Sequence, residues 1–158
     1  ESANLVNAPV LARERGINIR TTTTGGVRGF SSLIQLTAKA DGGTRSVAGT
    51  VFGESHLRVV QVDAFHVELL PEGPILFVFG NDKPGLIGQA GGVLGESGIN
   101  IARMAFGREA AGGRALLALN LDSLASPETV RAIERIDAVE EAQMISLPPL
   151  PEDIHDSV

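Results

Sequence analysis

Residues 75–108 decide the fold, and they read ILFVFGNDKPGLIGQAGGVLGESGINIARMAFGR. The run 75–80 is almost wholly apolar, as in a buried strand. A polar turn follows, and from 85 to 97 the apolar residues recur every three or four positions, which predicts a helix that ends at Gly98. The run 99–108 is again strand-like. The stretch therefore predicts a strand, a turn, a helix and a second strand.

The sequence after this stretch repeats the same kind of unit. A third strand is predicted over 114–121, and Ser126 is a suitable N-cap for a second helix over 127–136, with Pro127 at its first position. A fourth strand over 139–147 completes the order βαββαβ, the ferredoxin-like plan. We expect both helices on one face of the sheet, so that the other face needs a partner.

The sequence before this stretch predicts a different unit. A helix is expected between Ser2 and Gly16, and after it the period of the apolar residues changes to two. Five strand-like runs follow, at 17–24, 31–40, 44–53, 57–62 and 65–70. The segment Pro71–Pro74, with two prolines and a glycine, then marks a domain boundary.

The fold class is thus predicted to be α+β, with an N-terminal helix and antiparallel sheet followed by the βαββαβ unit. We place the domains at 1–72 and 73–147. The remaining residues, 148–158, contain three prolines and no apolar period, which predicts a flexible tail.

Composition and charge exclude several kinds of site. The chain has 158 residues, no cysteine and a net charge of −6. Without cysteine it can form no disulfide, zinc–thiolate site or cysteine-ligated iron–sulfur cluster of its own. Negative charge without a basic patch argues against nucleic acid as a partner, and no apolar run approaches the roughly 20 residues of a membrane helix. We expect a cytoplasmic protein and, since the chain starts at Glu1 rather than Met, a piece of a longer one.

The turn between the first strand and helix of the βαββαβ unit is the best candidate binding site. Free N–H groups at the start of a helix favour a carboxylate or phosphate, and Gly85 allows a ligand to approach the backbone. Asp82, at about the N-cap position, could bind an ammonium group, so the turn suits a zwitterion. Alternatively, Asp82 only caps the helix. Asn100 offers an amide that could orient a small polar ligand, or it is a surface residue.

The basic residues of the first unit suggest a second, weaker site. Arg58 and His66 lie on neighbouring predicted strands and could together bind an anion, although a solvated sheet face is the favoured interpretation. His56, His66 and His155 lack the spacing of metal ligands, so no metal site is expected. The sequence also offers no nucleophile or acid–base pair, so we expect no catalytic centre in this chain.

Two blocks of sequence resemble known domains. The block FVFGNDKPGLIGQAGGVLGESGINIARMAFGR, residues 77–108, resembles the first half of an ACT domain, an amino-acid-sensing module of βαββαβ plan. NLVNAPVLARERGI (4–17) and VAGTVFGESHLRVVQVDAFHVEL (47–69) are similar to the intervening domain of the longer bacterial D-3-phosphoglycerate dehydrogenases. The two blocks, in this order, cover nearly all of 1–147.

The resemblance implies the regulatory, non-catalytic part of an NAD-dependent dehydrogenase of serine biosynthesis. Cofactors are expected to be absent from this chain, with NAD in the parent enzyme. ACT domains of this family pair side by side and bind L-serine at the junction, which implies a homodimer or homotetramer. The implied effector contacts are Asn81, Asp82 and Gly85 of one subunit and Asn100 of its neighbour.

The resemblance also leaves alternatives. Relatives often carry a side-chain donor two residues before the loop Asp, where this chain has Gly80. The implied anion site of the intervening domain would use Arg58 and His66. A small subunit of an iron–sulfur L-serine dehydratase shares both modules, and a purely structural oligomerisation module would need no effector.

Overall fold

The protein contains three helices and two antiparallel sheets of four strands within the residues that the computed structural model describes, namely 4, 6–23, 25, 29–53 and 55–151. The predicted α+β class is confirmed. The elements, in chain order, are α1 (Ala8–Glu14), β1 (Ile34–Ala40), β2 (Gly43–Phe52), β3 (His56–Val62), β4 (Phe65–Leu69), β5 (Gly73–Asn81), α2 (Leu86–Glu96), β6 (Ile101–Arg108), β7 (Arg114–Leu121), α3 (Pro127–Glu134) and β8 (Val139–Leu147).

The second sheet has the predicted ferredoxin-like arrangement. Its strand order is β6-β7-β5-β8, and every neighbouring pair is antiparallel. Helices α2 and α3 cover one face, where Leu94 and Ile133 are fully buried against Leu117 and Leu119 of β7. Strand β6 lies at the edge of the sheet and, among the described residues, pairs only with β7.

The first sheet is the predicted meander, in the order β1-β2-β3-β4. Tight turns join its strands, and Asp63 in the β3–β4 turn takes a positive φ of 50°. Strand β1 is exposed along its whole length, whereas β4 alternates buried and exposed residues. This alternation shows that only one face of β4 enters a core.

The buried side of β4 supplies the partner that the ferredoxin-like sheet needs on its second face. Phe65 and Val67 pack against Phe79 of β5 and Leu116 of β7. The fit is closest at Gly107 of β6, where an added Cβ would lie 2.5 Å from the His66 carbonyl oxygen. The two sheets therefore share a core, and at Gly107 they meet backbone against backbone.

Arg45 of β2 contacts polar and aromatic side chains of both sheets. Its Nε lies 2.8 Å from Asp63 Oδ2, and its Nη1 lies 3.4 Å from Glu141 Oε2 of β8. The guanidinium also sits 4.6 Å from the centre of the Phe79 ring. A single side chain thus contacts both sheets through charge and through an aromatic face.

The prediction of a strand over 17–24 was wrong. Residues 17–23 form neither helix nor strand, and Ile17 and Ile19 are 55% and 65% exposed. Their β-branched side chains favour an extended backbone, but a strand needs a neighbour to pair with, and the sheet begins only at Ile34. The first helix is also shorter than the predicted span of 2–16, and Ser2 lies outside the described residues.

Candidate functional site

The turn between β5 and α2 forms one side of an open cleft of about 380 Å³, here called the loop cleft. Residues 82–88 line it, together with Phe106 and Arg108 of β6. Gly85 is the N-cap of α2 and takes a φ of +93°, a left-handed conformation that favours glycine. No side chain forms a capping hydrogen bond to the first N–H groups of α2, and the Leu86 N–H donates to the Lys83 carbonyl oxygen at 3.3 Å.

Asp82 is held by the opposite side of the cleft. Arg108 Nη1 donates a hydrogen bond to Asp82 Oδ2 at 2.7 Å, and the Gly112 N–H donates to the same oxygen at 3.2 Å. The Arg108 hydrogen bond, followed by that from Gly112, keeps the pKa of the Asp82 carboxyl below its usual value of 3.8. Asp82 is thus a charged acceptor at the mouth of the cleft.

The prediction that Asp82 is the N-cap of the helix was wrong. The N-cap is Gly85, three residues later, and no side chain makes a capping hydrogen bond there. The reason is that the chain makes a turn at Pro84 and Gly85 before the helix begins. Asp82 therefore reaches across to β6 instead of back to the α2 backbone.

The neighbouring polar side chains of the turn point to β8 and to the loop before it. Asn81 Nδ2 donates to Glu140 Oε1 at 3.1 Å, and Lys83 Nζ lies 2.7 Å from Asp137 Oδ2. The lining of the cleft includes Lys83 but not Asn81. Of the predicted site residues, Asp82 and Gly85 are brought together at the cleft, while Asn81 is engaged beside it.

Gly80 is required by the path of the backbone. The pairing of β5 with β8 shifts register between Phe79 and Gly80, and a Cβ at position 80 would overlap the carbonyl oxygen of Ala138. No side-chain donor fits at this position without moving β8. The absence of a donor here is therefore a consequence of how the start of β8 approaches β5.

Asn100 lies at the opposite end of the sheet from the loop cleft. It directly precedes β6, whereas Arg108 ends that strand, so roughly 26 Å of extended chain separates the two ends. Asn100 Nδ2 donates to Asp122 Oδ2 at 2.8 Å. Within one chain, Asp82 and Asn100 cannot contact the same small ligand.

Arg108 is a residue of the loop cleft that the sequence did not single out. It ends the quoted stretch 75–108, but nothing in the pattern shows which strand end lies beside the β5–α2 turn. That information comes only from the strand order, in which β6 and β5 flank β7. The one signal in the sequence that could have pointed to Arg108 was a basic residue at the end of the strand that follows the helix.

Comparison with known proteins identifies both halves of the chain. Residues 1–63 match the family model described as the D-3-phosphoglycerate dehydrogenase intervening domain, and residues 74–138 match the ACT domain. The chain joins an intervening domain to an ACT domain. The loop cleft belongs to the ACT domain, and the β4 strand that covers the second face of its sheet follows the matched part of the intervening domain.

Three curated relatives match this chain over most of its length, and each is named D-3-phosphoglycerate dehydrogenase. The protein of Methanocaldococcus jannaschii is 34% identical over 144 residues, which is 91% of this chain and 27% of the relative. That of Synechocystis is 33% identical over 147 residues, 93% of this chain and 26% of the relative. The Bacillus subtilis protein is 29% identical over 147 residues. The chain spans about a quarter of the length of these relatives.

Of the two residues in the predicted anion site of the intervening domain, Arg58 lies close to a carboxylate. Arg58 Nε lies 3.7 Å from Glu68 Oε1, and its Nη1 donates to the Leu57 carbonyl oxygen at 2.8 Å. His66 is exposed on the outer side of β4. Anion binding by Arg58 and His66 stays a prediction.

Neither a metal cluster nor a membrane helix occurs in the described part of the ACT and intervening domains. Over residues 4–151, apart from the few positions left undescribed, no three His, Cys, Asp or Glu side chains are grouped as metal ligands. Within the same residues, no helix is long and apolar enough to cross a membrane.

Proposed function

We propose that this chain is the regulatory part of a D-3-phosphoglycerate dehydrogenase and that its ACT domain binds L-serine, or a similar small amino acid, between two copies. The parent protein would carry the NAD-dependent dehydrogenase activity in the three quarters that this chain does not span. The sequence contains no Gly-x-Gly-x-x-Gly turn after a strand, so these residues are not suited to hold the dinucleotide.

The position of Asp82 and Asn100 at opposite ends of the β6 edge carries this proposal. Two copies that pair their β6 strands antiparallel about a two-fold axis would bring the Asn100 end of one to the Arg108 end of the other. Among the described residues no strand pairs with the outer edge of β6, and this supports such a pairing, since an open edge offers a row of N–H and C=O groups. The ligand site would then be complete only in the dimer.

The chemistry of the loop cleft suits a zwitterion. The Asp82 carboxylate, whose pKa is lowered further by Arg108 and Gly112, would accept hydrogen bonds from the ligand ammonium. The N–H groups at the start of α2, opened by Gly85, would bind the ligand carboxylate. Asn100 of the second copy would bind the remaining polar group of the ligand. Arg108 would move from Asp82 to the ligand carboxylate as the ammonium takes its place.

Titration calorimetry of the 158-residue chain with L-serine tests this function. We expect binding to weaken about 10-fold or more in Asp82→Asn and in Asn100→Ala, because each removes a hydrogen bond to a charged or polar ligand group. Asp41→Asn, in the exposed β1–β2 turn, is the control and should bind as the unmodified chain does. No heat at millimolar L-serine, together with an unchanged oligomer, would instead indicate a structural module.

A further inference from the structure

A second cleft lies where the linker between the two domains meets the ACT sheet. We call it the junction cleft; its volume is about 270 Å³, and its wall includes Leu70, Glu72, Arg103, Asn120, Leu121 and Leu147. Small-molecule sites occupy roughly 300–1,000 Å³ for drug-sized ligands, so this cleft suits a smaller metabolite.

Asn120 is the feature of the junction cleft that points to a ligand. Its side-chain Nδ2 donates to the carbonyl oxygens of Leu70 at 2.9 Å and Glu72 at 3.2 Å, which fixes the orientation of the amide. Asn120 is only 6% exposed, and its Oδ1 is buried without a hydrogen-bond partner among the described residues. A buried acceptor without a donor is unfavourable, and a ligand N–H would relieve it.

A β-bulge brings a positive charge to the same place. Ile101 pairs with Leu121 while Arg103 pairs with Asn120, so Ala102 is an extra residue in β6. Bulges redirect side chains next to functional sites. Here the bulge sets Arg103 directly opposite Asn120 on the neighbouring strand.

The remaining wall supplies one carboxylate and several apolar side chains. Glu72 is partly buried, and the Leu150 N–H donates to its Oε2 at 3.4 Å, which draws the chain after β8 toward the cleft. Leu70 and Leu121 are buried, and Leu147 is partly buried. Glu72 and Arg103 give the wall one charge of each sign, and each already has an interaction within the chain, so a zwitterion with an apolar body would bind by competing with those interactions.

We propose that the junction cleft binds an amino acid with an apolar side chain. The ligand ammonium is placed at Asn120 Oδ1 and the Glu72 carboxylate, and the ligand carboxylate at Arg103. The side chain lies against Leu70, Leu121 and Leu147. This site is separate from the loop cleft, because the seven residue pairs from Asn81 opposite Arg114 to Ile75 opposite Asn120 set the two about 20 Å apart.

The test uses L-leucine and two analogues that each lack one charged group, 3-methylbutylamine and 4-methylpentanoate. Each is titrated into the 158-residue chain by calorimetry and followed in the ¹⁵N spectrum at the Asn120 side-chain amide. We expect L-leucine to bind once per chain and to shift the Asn120 amide signals, and both analogues to bind about 10-fold or more weakly.

Variants separate this site from the loop cleft. Arg103→Gln, an exposed position, should weaken L-leucine about 10-fold and leave the amine analogue unchanged, whereas Arg135→Gln, also exposed but beyond α3, should change neither. Binding should persist in Asp82→Asn. The proposal is overturned if none of the three probes binds at 10 mM, which would mean that only water fills the cleft. It is also overturned if Arg103→Gln has no effect on L-leucine binding, or if Asp82→Asn removes that binding.

Discussion

At position 80, the backbone of β8 leaves no room for a side chain. The register shift between Phe79 and Gly80 lets the Ala138 carbonyl approach β5, and a Cβ would overlap that oxygen. The neighbouring Asn81 also forms a hydrogen bond to Ala138, through its backbone N–H at 2.8 Å. The close approach at Gly80 is thus part of how β8 begins, at the base of the loop cleft.

Gly80→Ala should destabilise the protein. We expect the free energy of unfolding in urea to fall by about 1–3 kcal/mol, because the obstacle is backbone and cannot change rotamer. Gly92→Ala is the matched control, since a Cβ at that position in α2 meets nothing within 4 Å. The control should raise the stability by about 0.5–1 kcal/mol, the usual gain from alanine inside a helix. Equal effects of the two substitutions would contradict the steric argument.

The ion pair of Asp82 with Arg108 should give stability a specific pH dependence. The pKa of Asp82 is lowered in the folded protein by its hydrogen bonds from Arg108 and Gly112, so the pair stabilises the fold fully above the ordinary pKa of 3.8. That contribution is lost as the pH falls below 3.8 through the lowered pKa, because folded Asp82 then takes up a proton.

Thermal unfolding of Asp82→Asn between pH 7 and pH 2 measures this effect. The variant should melt below the unmodified protein at pH 7, and the two melting temperatures should converge at the acid end. The difference should also shrink in 1 M salt, since the Arg108 side chain is half exposed. A melting difference that stays constant with pH would assign the effect to packing rather than to charge.

Part of the site was predictable from single residues, and part was not. Asp82 and Gly85 lie in a strand-to-helix turn that the periodicity of 75–108 locates well, because turn residues and apolar period are local signals. The partner of Asp82 is Arg108, 26 residues later, and depends on the strand order. The prediction that Asp82 caps the helix was wrong because the turn at Pro84 and Gly85 moves the start of the helix beyond the reach of Asp82.

At the scale of elements, the periodic patterns located the ACT strands and helices within a few residues. Buried strands such as β7 are recognisable because six of its eight residues are apolar, and α3 has a recognisable start. The run 17–24 failed because β-branched residues specify an extended backbone but not a neighbour to pair with. Pairing is a property of the sheet, and the first paired strands among the described residues are β1 and β2.

The N-terminus of α3 is a local structure whose energy can be measured. Ser126 Oγ accepts a hydrogen bond from the Thr129 N–H at 3.2 Å, with Pro127 at the first helical position. Ser126→Ala should lower the free energy of unfolding by about 1 kcal/mol, because the Thr129 N–H loses its acceptor. Ser146→Ala, at an exposed position of β8, is the control and should change stability little. Equal losses in the two variants, measured in urea, would show that the cap contributes nothing.

For the whole molecule, the proposed assembly depends on the edge of β6. Met104 lies near the middle of this strand and is 52% exposed. In an antiparallel two-fold pairing, the middle of one β6 faces the middle of the other, so Met104 meets a second copy of itself. Assembly and effector binding should therefore depend on the same strand.

Met104→Lys should weaken self-association and L-serine binding together, because like charges would face each other across the edge. Sedimentation velocity measures the first, and calorimetry the second. Leu124→Lys, 59% exposed in the loop between β7 and α3, is the control and should leave both unchanged. Loss of association with serine binding intact would show that the effector site lies within a single copy.

The backbone contact at Gly107 has a mechanical consequence. Where two sheets meet through long side chains, rotamer changes can absorb a small displacement, but at Gly107 the β6 backbone rests directly on the His66 carbonyl. Phe65 and Val67 hold β4 there from both sides of that contact. We therefore expect a shift of the β6 edge to move β4 with it, so that the intervening domain follows the ACT sheet instead of repacking against it.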